Sequence, residues 1–201
     1  PGVLGGIALV WARRELRYLS LMALCFARVQ LCLMTFAVTF LVREAHYSLV
    51  EAGVLLSVVQ FAGAAGRIVW GWIADRLRAS RTTLLVLGAL MLLATIATTQ
   101  IDETWSAAAT AVVFVSMGAT AIGWNGVFLA EVARLAPAGE ASTATGGALF
   151  FTFGGVLIGP SLFAALYSRL HRYAATFAVA AALAAVGMAF LSRAGKSEES
   201  R

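Results

Sequence analysis

Arg28 stands about eight residues inside an apolar block of this chain, and a guanidinium there has one obvious chemistry, the holding of an anion. Eight helical residues correspond to about 12 Å of depth, too far for an easy return to water. A charge at that depth in lipid costs about 2.5–3.5 kcal/mol on insertion scales, so some group must compensate it. One reading is a site for an anionic substrate group, with Gln30 or Gln60 as neutral partners. The other is that Arg28 reaches lipid phosphates, or a carboxylate lying outside this sequence.

Further polar residues recur at helical spacing inside apolar blocks. Arg28, Cys32, Thr35 and Thr39 make one stripe, and Ser57, Gln60 and Arg67 make another across Ala64. Ser116, Thr120 and Trp124 make a third, with Asn125 beside it. Polar faces on separate helices are expected to converge on a wet interior, because hydrocarbon offers them no partner. The candidate substrate-binding residues are therefore Arg28, Gln30, Thr35, Gln60, Trp124 and Asn125. Arg67 lies nearer the end of its block and reads as a partner of Asp75 or of backbone carbonyls.

Other chemistries find no residues. His46 and His171 fall in loops and form no H-x-x-x-H pair, and no Walker-type glycine loop is present. Neither catalysis, a metal, a cofactor nor ATP-driven pumping is expected. Cys25 and Cys32 lie seven apart on one helix, about 10 Å along its axis, which is too far for a disulfide.

The elements that must carry these residues follow from composition. Of 201 residues, 61% are hydrophobic and 12% charged, where a soluble domain holds about 45–50% and about 25%. The apolar residues come in blocks of bilayer-spanning length. Six spans are expected, at residues 20–42, 49–73, 82–100, 106–129, 142–167 and 173–191. The fold class is all-α, a polytopic transmembrane bundle. Residues 1–19 read as an interfacial lead-in ending a cytoplasmic linker, and 192–201 as a polar cytoplasmic tail. The net charge of +5 comes from arginines flanking the blocks, with no interleaved aromatics, so orientation in a membrane explains it and nucleic acid does not. With the start inside, ten Lys and Arg fall in cytoplasmic segments against Arg43, Arg169 and Arg172 outside, placing both termini in the cytoplasm. The loop holding Arg169 and Arg172 runs against that rule. A start at Pro1 in place of Met reads as a piece of a longer product.

Close helix approach in lipid depends on small residues. Ala148, Thr152, Gly155 and Gly159 share a face of the fifth span, Ala62 and Gly66 one of the second, and Pro160 should bend the fifth. Between the second and third spans, Asp75 is placed to cap the next helix, and Arg76 and Arg81 to pair with acidic groups such as Glu131 at neighbouring helix ends.

That loop carries a resemblance. Gly71, Asp75 and Arg76, with Arg81 more loosely, are similar to the loop motif of the major facilitator superfamily, although Arg78 stands where the family usually has Gly. Gly66-Arg67 and Trp70-Gly71 ahead of the Asp, the pair Gly159-Pro160, and Gly123 to Glu131 are similar to it as well. The resemblance implies one six-helix half, the C-terminal one, of a twelve-helix transporter working by alternating access, each half made of two inverted three-helix units. It implies that the first and fourth spans line the cavity, that the second and fifth pack on the other half, and that Arg67, Gly71, Asp75, Arg76, Arg81 and Glu131 form a gating cluster. The implied partners are the lipid bilayer of a plasma (bacterial inner) membrane, a small-molecule substrate, a possible coupling proton, and the N-terminal half. The cationic stripe leans towards an organic anion such as a monocarboxylate. Drug-type efflux, or a truncated fragment that does not transport, are the alternatives.

Overall fold

A computed structural model describes residues 3–194, apart from the side chains of Val3, Pro160 and Leu170. The described part of the chain is built from helices α1 (Val3–Ala12), α2 (Arg14–Arg43), α3 (Leu49–Leu77), α4 (Ser80–Thr98), α5 (Ala107–Ala121), α6 (Trp124–Leu135), α7 (Ala141–Leu170) and α8 (Tyr173–Ala194). Six helical segments are long and apolar enough to cross a bilayer, with α5 and α6 together forming the fourth. The fold expectation is met, and the chain is an integral membrane protein. Residues 195–201 of the expected tail lie outside the described residues.

Local sequence sets several of the boundaries. Ser48 and Glu51 close a capping box at the start of α3, in which the Ser48 hydroxyl accepts from the Glu51 N–H and the Glu51 carboxylate accepts from the Ser48 N–H. Ser106 caps α5 through the Ala109 N–H. The start of α8 is capped from a distance: the Glu44 carboxylate, at the end of α2, accepts from the backbone N–H groups of Tyr173 and Ala174. An anion suits the four orphan donors and the positive dipole end there.

The packing shows an internal twofold pattern. α2 packs on α7 and α8, while α5 and α6 pack on α3 and α4, and α4 meets α8. The first span of each three-span unit therefore lies against the second and third spans of the other unit, as the inverted-unit expectation requires.

The small-residue faces serve this arrangement. A Cβ built on Gly155 would fall 2.5 Å from the Leu24 carbonyl oxygen, and one on Gly66 would fall 2.6 Å from that of Ala119. Gly159 stacks on Arg28 and Leu31. These faces were expected against the other half, and the structure corrects that: they lock α7 onto α2 and α3 onto α5 within this bundle. What α3 and α7 leave exposed is large and apolar, including Phe61, Ile68 and Trp72 on one and Phe150, Phe153 and Leu157 on the other.

Candidate functional site

The fourth span is not one helix. α5 ends at Ala121 and α6 begins at Trp124, with Ile122 and Gly123 as the joint. The joint lies about 22 Å from the start of α5 and about 20 Å from the end of α6, which places it near mid-bilayer. Backbone carbonyls around such a break need other donors, since no water is on hand in hydrocarbon. Side chains supply them. Trp70 Nε1 donates to the Ala119 carbonyl (3.2 Å), Trp124 Nε1 to that of Ala121 (3.0 Å), and Arg67 Nε to that of Ile122 (3.3 Å). Asn125 Nδ2 reaches the same Ile122 oxygen at 3.2 Å and also donates to Gln30 Oε1 on α2 at 3.0 Å. Gly123 has no room for a side chain, because a Cβ there would meet the Ala119 oxygen at 2.1 Å.

Three of the expected polar residues, on three separate spans, thus meet at one carbonyl-rich joint: Gln30, Arg67 and Asn125. Gln30 and Asn125 are half-buried and Arg67 is exposed, so the cluster opens at the surface of the bundle. Arg67 bonds to a backbone carbonyl, one of its two expected partners, and among the described residues it forms no ion pair with the other, Asp75. It stands with the mid-membrane polar cluster and not with the loop cluster to which it was assigned.

The remaining candidates are placed differently. Arg28 is half-buried beside Gly159 of α7, and its Nε is buried without a hydrogen-bond partner. Two residues along a helix turn about 200°, so Arg28 and Gln30 lie on opposite sides of α2. Thr35 and Gln60 are exposed on their helices. Trp124 requires a correction: its side chain is fully buried, edge-on to Phe26 with centroids 5.8 Å apart and against Phe128 at 5.3 Å. A ring enclosed in this way packs the joint from behind and cannot line a cavity. Cys32 likewise turns into the core, which breaks the expected α2 stripe.

At the membrane end where α3 finishes, charged side chains line a cleft of about 700 Å³, among them Asp75, Arg78, Arg81, Glu131 and Arg134. Glu131 is 4% exposed and takes a bidentate pair from Arg134 at 2.8 and 2.7 Å. Arg81 donates to the carbonyls of Leu191 and Ser192, closing the end of α8. Asp75 was expected to cap α4 and does not: the cap position is Ala79, with no side-chain bond, and Asp75 is exposed. Arg76 is exposed, and Gly71 has nothing within 4 Å of a built Cβ. Gly155 and Gly159 pack helices as expected, and the side chain of Pro160 lies outside the described residues.

Sequence reasoning missed Trp70 and Glu44. The spacing of Arg67 and Trp70, three apart on one helical face, held the usable signal for Trp70, since both donors then aim at the same neighbouring turn. Nothing local marks Glu44 as a cap for a helix 129 residues away.

The family model of the Major Facilitator Superfamily matches residues 2–160. Over 109 residues, 54% of this chain, the sequence is 36% identical to the "Probable nitrate/nitrite transporter NarK2" of Mycobacterium tuberculosis, in two strains, and this stretch is 27% of that protein. Among solved structures, the E. coli fucose:proton symporter FucP superposes with a TM-score of 0.77 at 12% identity, covering 97% of this chain and 47% of that one. The chain therefore spans about half the length of that transporter, and at this identity the likeness is one of fold. With six helical spans in two interlocked units and a family match over residues 2–160, the chain belongs to the Major Facilitator Superfamily.

Proposed function

We propose that this bundle is the C-terminal half of a secondary transporter for a small anion, paired with an N-terminal six-helix half and working by alternating access. The observation that carries the reading is Arg67, held by its Nε on the Ile122 carbonyl at a mid-span helix break beside Asn125 and Gln30. Binding sites of transporters gather at such breaks, where irregular backbone lines a cavity. Among the described residues, neither Arg67 nor Arg28 forms a salt bridge. An anion about 4 Å from one guanidinium gains roughly 4 kcal/mol at an effective dielectric near 20, enough to offset the insertion penalty of about 2.5–3.5 kcal/mol.

A monocarboxylate and an inorganic oxyanion both present planar charged oxygens to a guanidinium. The nitrate/nitrite name of the relative favours including the oxyanion. Coupling to a proton would draw on a carboxylate in the other half, since Glu131 is engaged by Arg134. In a plasma, or bacterial inner, membrane the bias of Lys and Arg supports an orientation with both termini cytoplasmic.

The test is uptake into proteoliposomes by the protein carrying both halves, with labelled nitrate and labelled lactate, each with and without a pH gradient. Saturable uptake of one of them, abolished in Arg67→Gln at equal incorporation, is expected. Uptake no faster than in empty vesicles, or extrusion of a cationic dye in its place, would contradict the reading.

A further inference from the structure

Ahead of the first span, α1 is a helix without a single charged residue that is held in place by backbone contact. A Cβ on Gly6 would meet the Thr143 carbonyl oxygen at 2.7 Å, and one on Gly147 would meet the Gly6 oxygen at 2.1 Å. Trp11 stacks on Phe151 with centroids 6.0 Å apart. The chain then turns sharply at Arg13, whose ψ of 114° interrupts the helix before α2 starts. α1 thus lies along the beginning of α7, over residues 143–151.

The 30 residues of α7 extend about 45 Å, whereas the hydrocarbon core is about 30 Å thick, so roughly 7 Å at each end stands among headgroups. Gly147, six residues into α7, is about 9 Å from its start, at the boundary between headgroups and acyl chains. Gly6 and Val10 of α1 face inward, while Leu4 (81% exposed), Ala8 and Trp11 (52% exposed) form the outer face. Directly behind this apolar face come Arg13 and Arg14, both exposed, and Arg17, whose guanidinium sits 5.7 Å over the Trp11 ring and 5.6 Å over that of Tyr18. Among the described residues none of these three arginines forms a salt bridge. Arg76 and Arg78 are exposed at the same membrane end.

We infer that α1 is an interfacial helix whose outer face enters the acyl boundary, with Arg13, Arg14 and Arg17 forming a binding surface for the headgroups of anionic phospholipids. Charge complementarity selects this occupant: an uncharged face bordered by cations matches a layer that is apolar below and negative above. Arg17 Nη1 donates to the Trp11 carbonyl at 3.5 Å, and the remaining N–H groups of Arg14 and Arg17, both stacked on aromatic rings, are left for phosphate oxygens. Because α1 is fixed to α7 through Gly6 and Gly147, such lipids would bear on the start of a span that also packs along α2.

The test is native mass spectrometry of the chain in detergent, titrated with phosphatidylglycerol and with phosphatidylcholine. The expected result is at least tenfold tighter binding of phosphatidylglycerol, lost in the triple variant Arg13→Gln, Arg14→Gln, Arg17→Gln and kept in the triple lysine variant, since each cation near an anionic surface contributes about fivefold. Equal binding of the two lipids, or a preference that survives the glutamine variant, would overturn the proposal. A cysteine replacing Leu4, in a Cys25→Ser, Cys32→Ser background, supplies a second measurement in nanodiscs. Protection from a water-soluble maleimide with lipid alone is expected. Full labelling, or protection that requires another polypeptide, would mean that α1 faces water or a protein partner.

Discussion

Asn125 and Gln30, 95 residues apart in the chain, meet at 3.0 Å beside a break in the fourth span, and the same Asn125 amide also reaches the Ile122 carbonyl. One side chain thereby ties the first span to the joint of the fourth. A hydrogen bond between membrane helices contributes modestly, about 0.6 kcal/mol on average. A double-mutant cycle with Asn125→Ala and Gln30→Ala should return a coupling of about that size by unfolding in mixed micelles, while Asn125→Ala lowers transport far more than it lowers stability. Transport that falls only in proportion to stability would reduce the pair to a packing device.

Arg67 should not be replaceable by lysine. Lysine keeps the charge but lacks the planar fork that can hold the Ile122 carbonyl and an anion at once. Uptake by Arg67→Lys is expected at least tenfold below that of the parent, at matched expression, with Arg67→Gln lower still. Near-normal uptake by the lysine variant would show that charge alone suffices.

Gly155 sets the separation of α2 and α7. An alanine there would place its Cβ 2.5 Å from the Leu24 carbonyl oxygen, backbone that cannot turn aside. Gly155→Ala should destabilise the bundle by about 1–3 kcal/mol, the usual range for overpacking. The half-buried Gly154, which has nothing within 4 Å of a built Cβ, is the control and should tolerate alanine. Thermal unfolding in detergent would report both.

The Glu131–Arg134 pair joins a buried carboxylate to a guanidinium whose side chain is 61% exposed. Breaking a fully buried pair costs about 3–5 kcal/mol, but solvent screens Arg134, so Arg134→Ala should cost about 1–2 kcal/mol. Glu131→Gln should cost less, because an amide can still accept from Arg134. Chemical denaturation of the two variants would rank them.

At the opposite membrane end, removing the Glu44 cap should cost about 1 kcal/mol. Glu44→Gln should recover part of that, since its carbonyl oxygen can still accept from Ala174. Faster hydrogen exchange at the first turn of α8 in Glu44→Ala, with the rest of α8 unchanged, would locate the effect.

Much of this architecture could be read from the chain, because block length and flanking arginines depend only on local composition. The positions of the spans followed from that. The orientation of side chains did not. Gln30 was expected beside Arg28, whereas it meets Asn125 instead. Trp124 sits on a polar stripe by spacing, yet that stripe faces the core of the bundle, where Thr120 one turn earlier is buried as well. No proline marks the joint, and Gly123 is one of 19 glycines, so local pattern could not single it out. Gly155 showed that a close contact exists but not which helix it receives, a choice made by the pairing of the two three-span units.

The decisive measurement is thiol accessibility at position 67. With Arg67 replaced by cysteine in a Cys25→Ser, Cys32→Ser background of the protein carrying both halves, a polar thiol reagent should modify it, and a substrate-sized anion should slow that modification. A thiol that stays unmodified while the protein is folded in the membrane would place this residue in lipid, and the mid-membrane anion site would be gone.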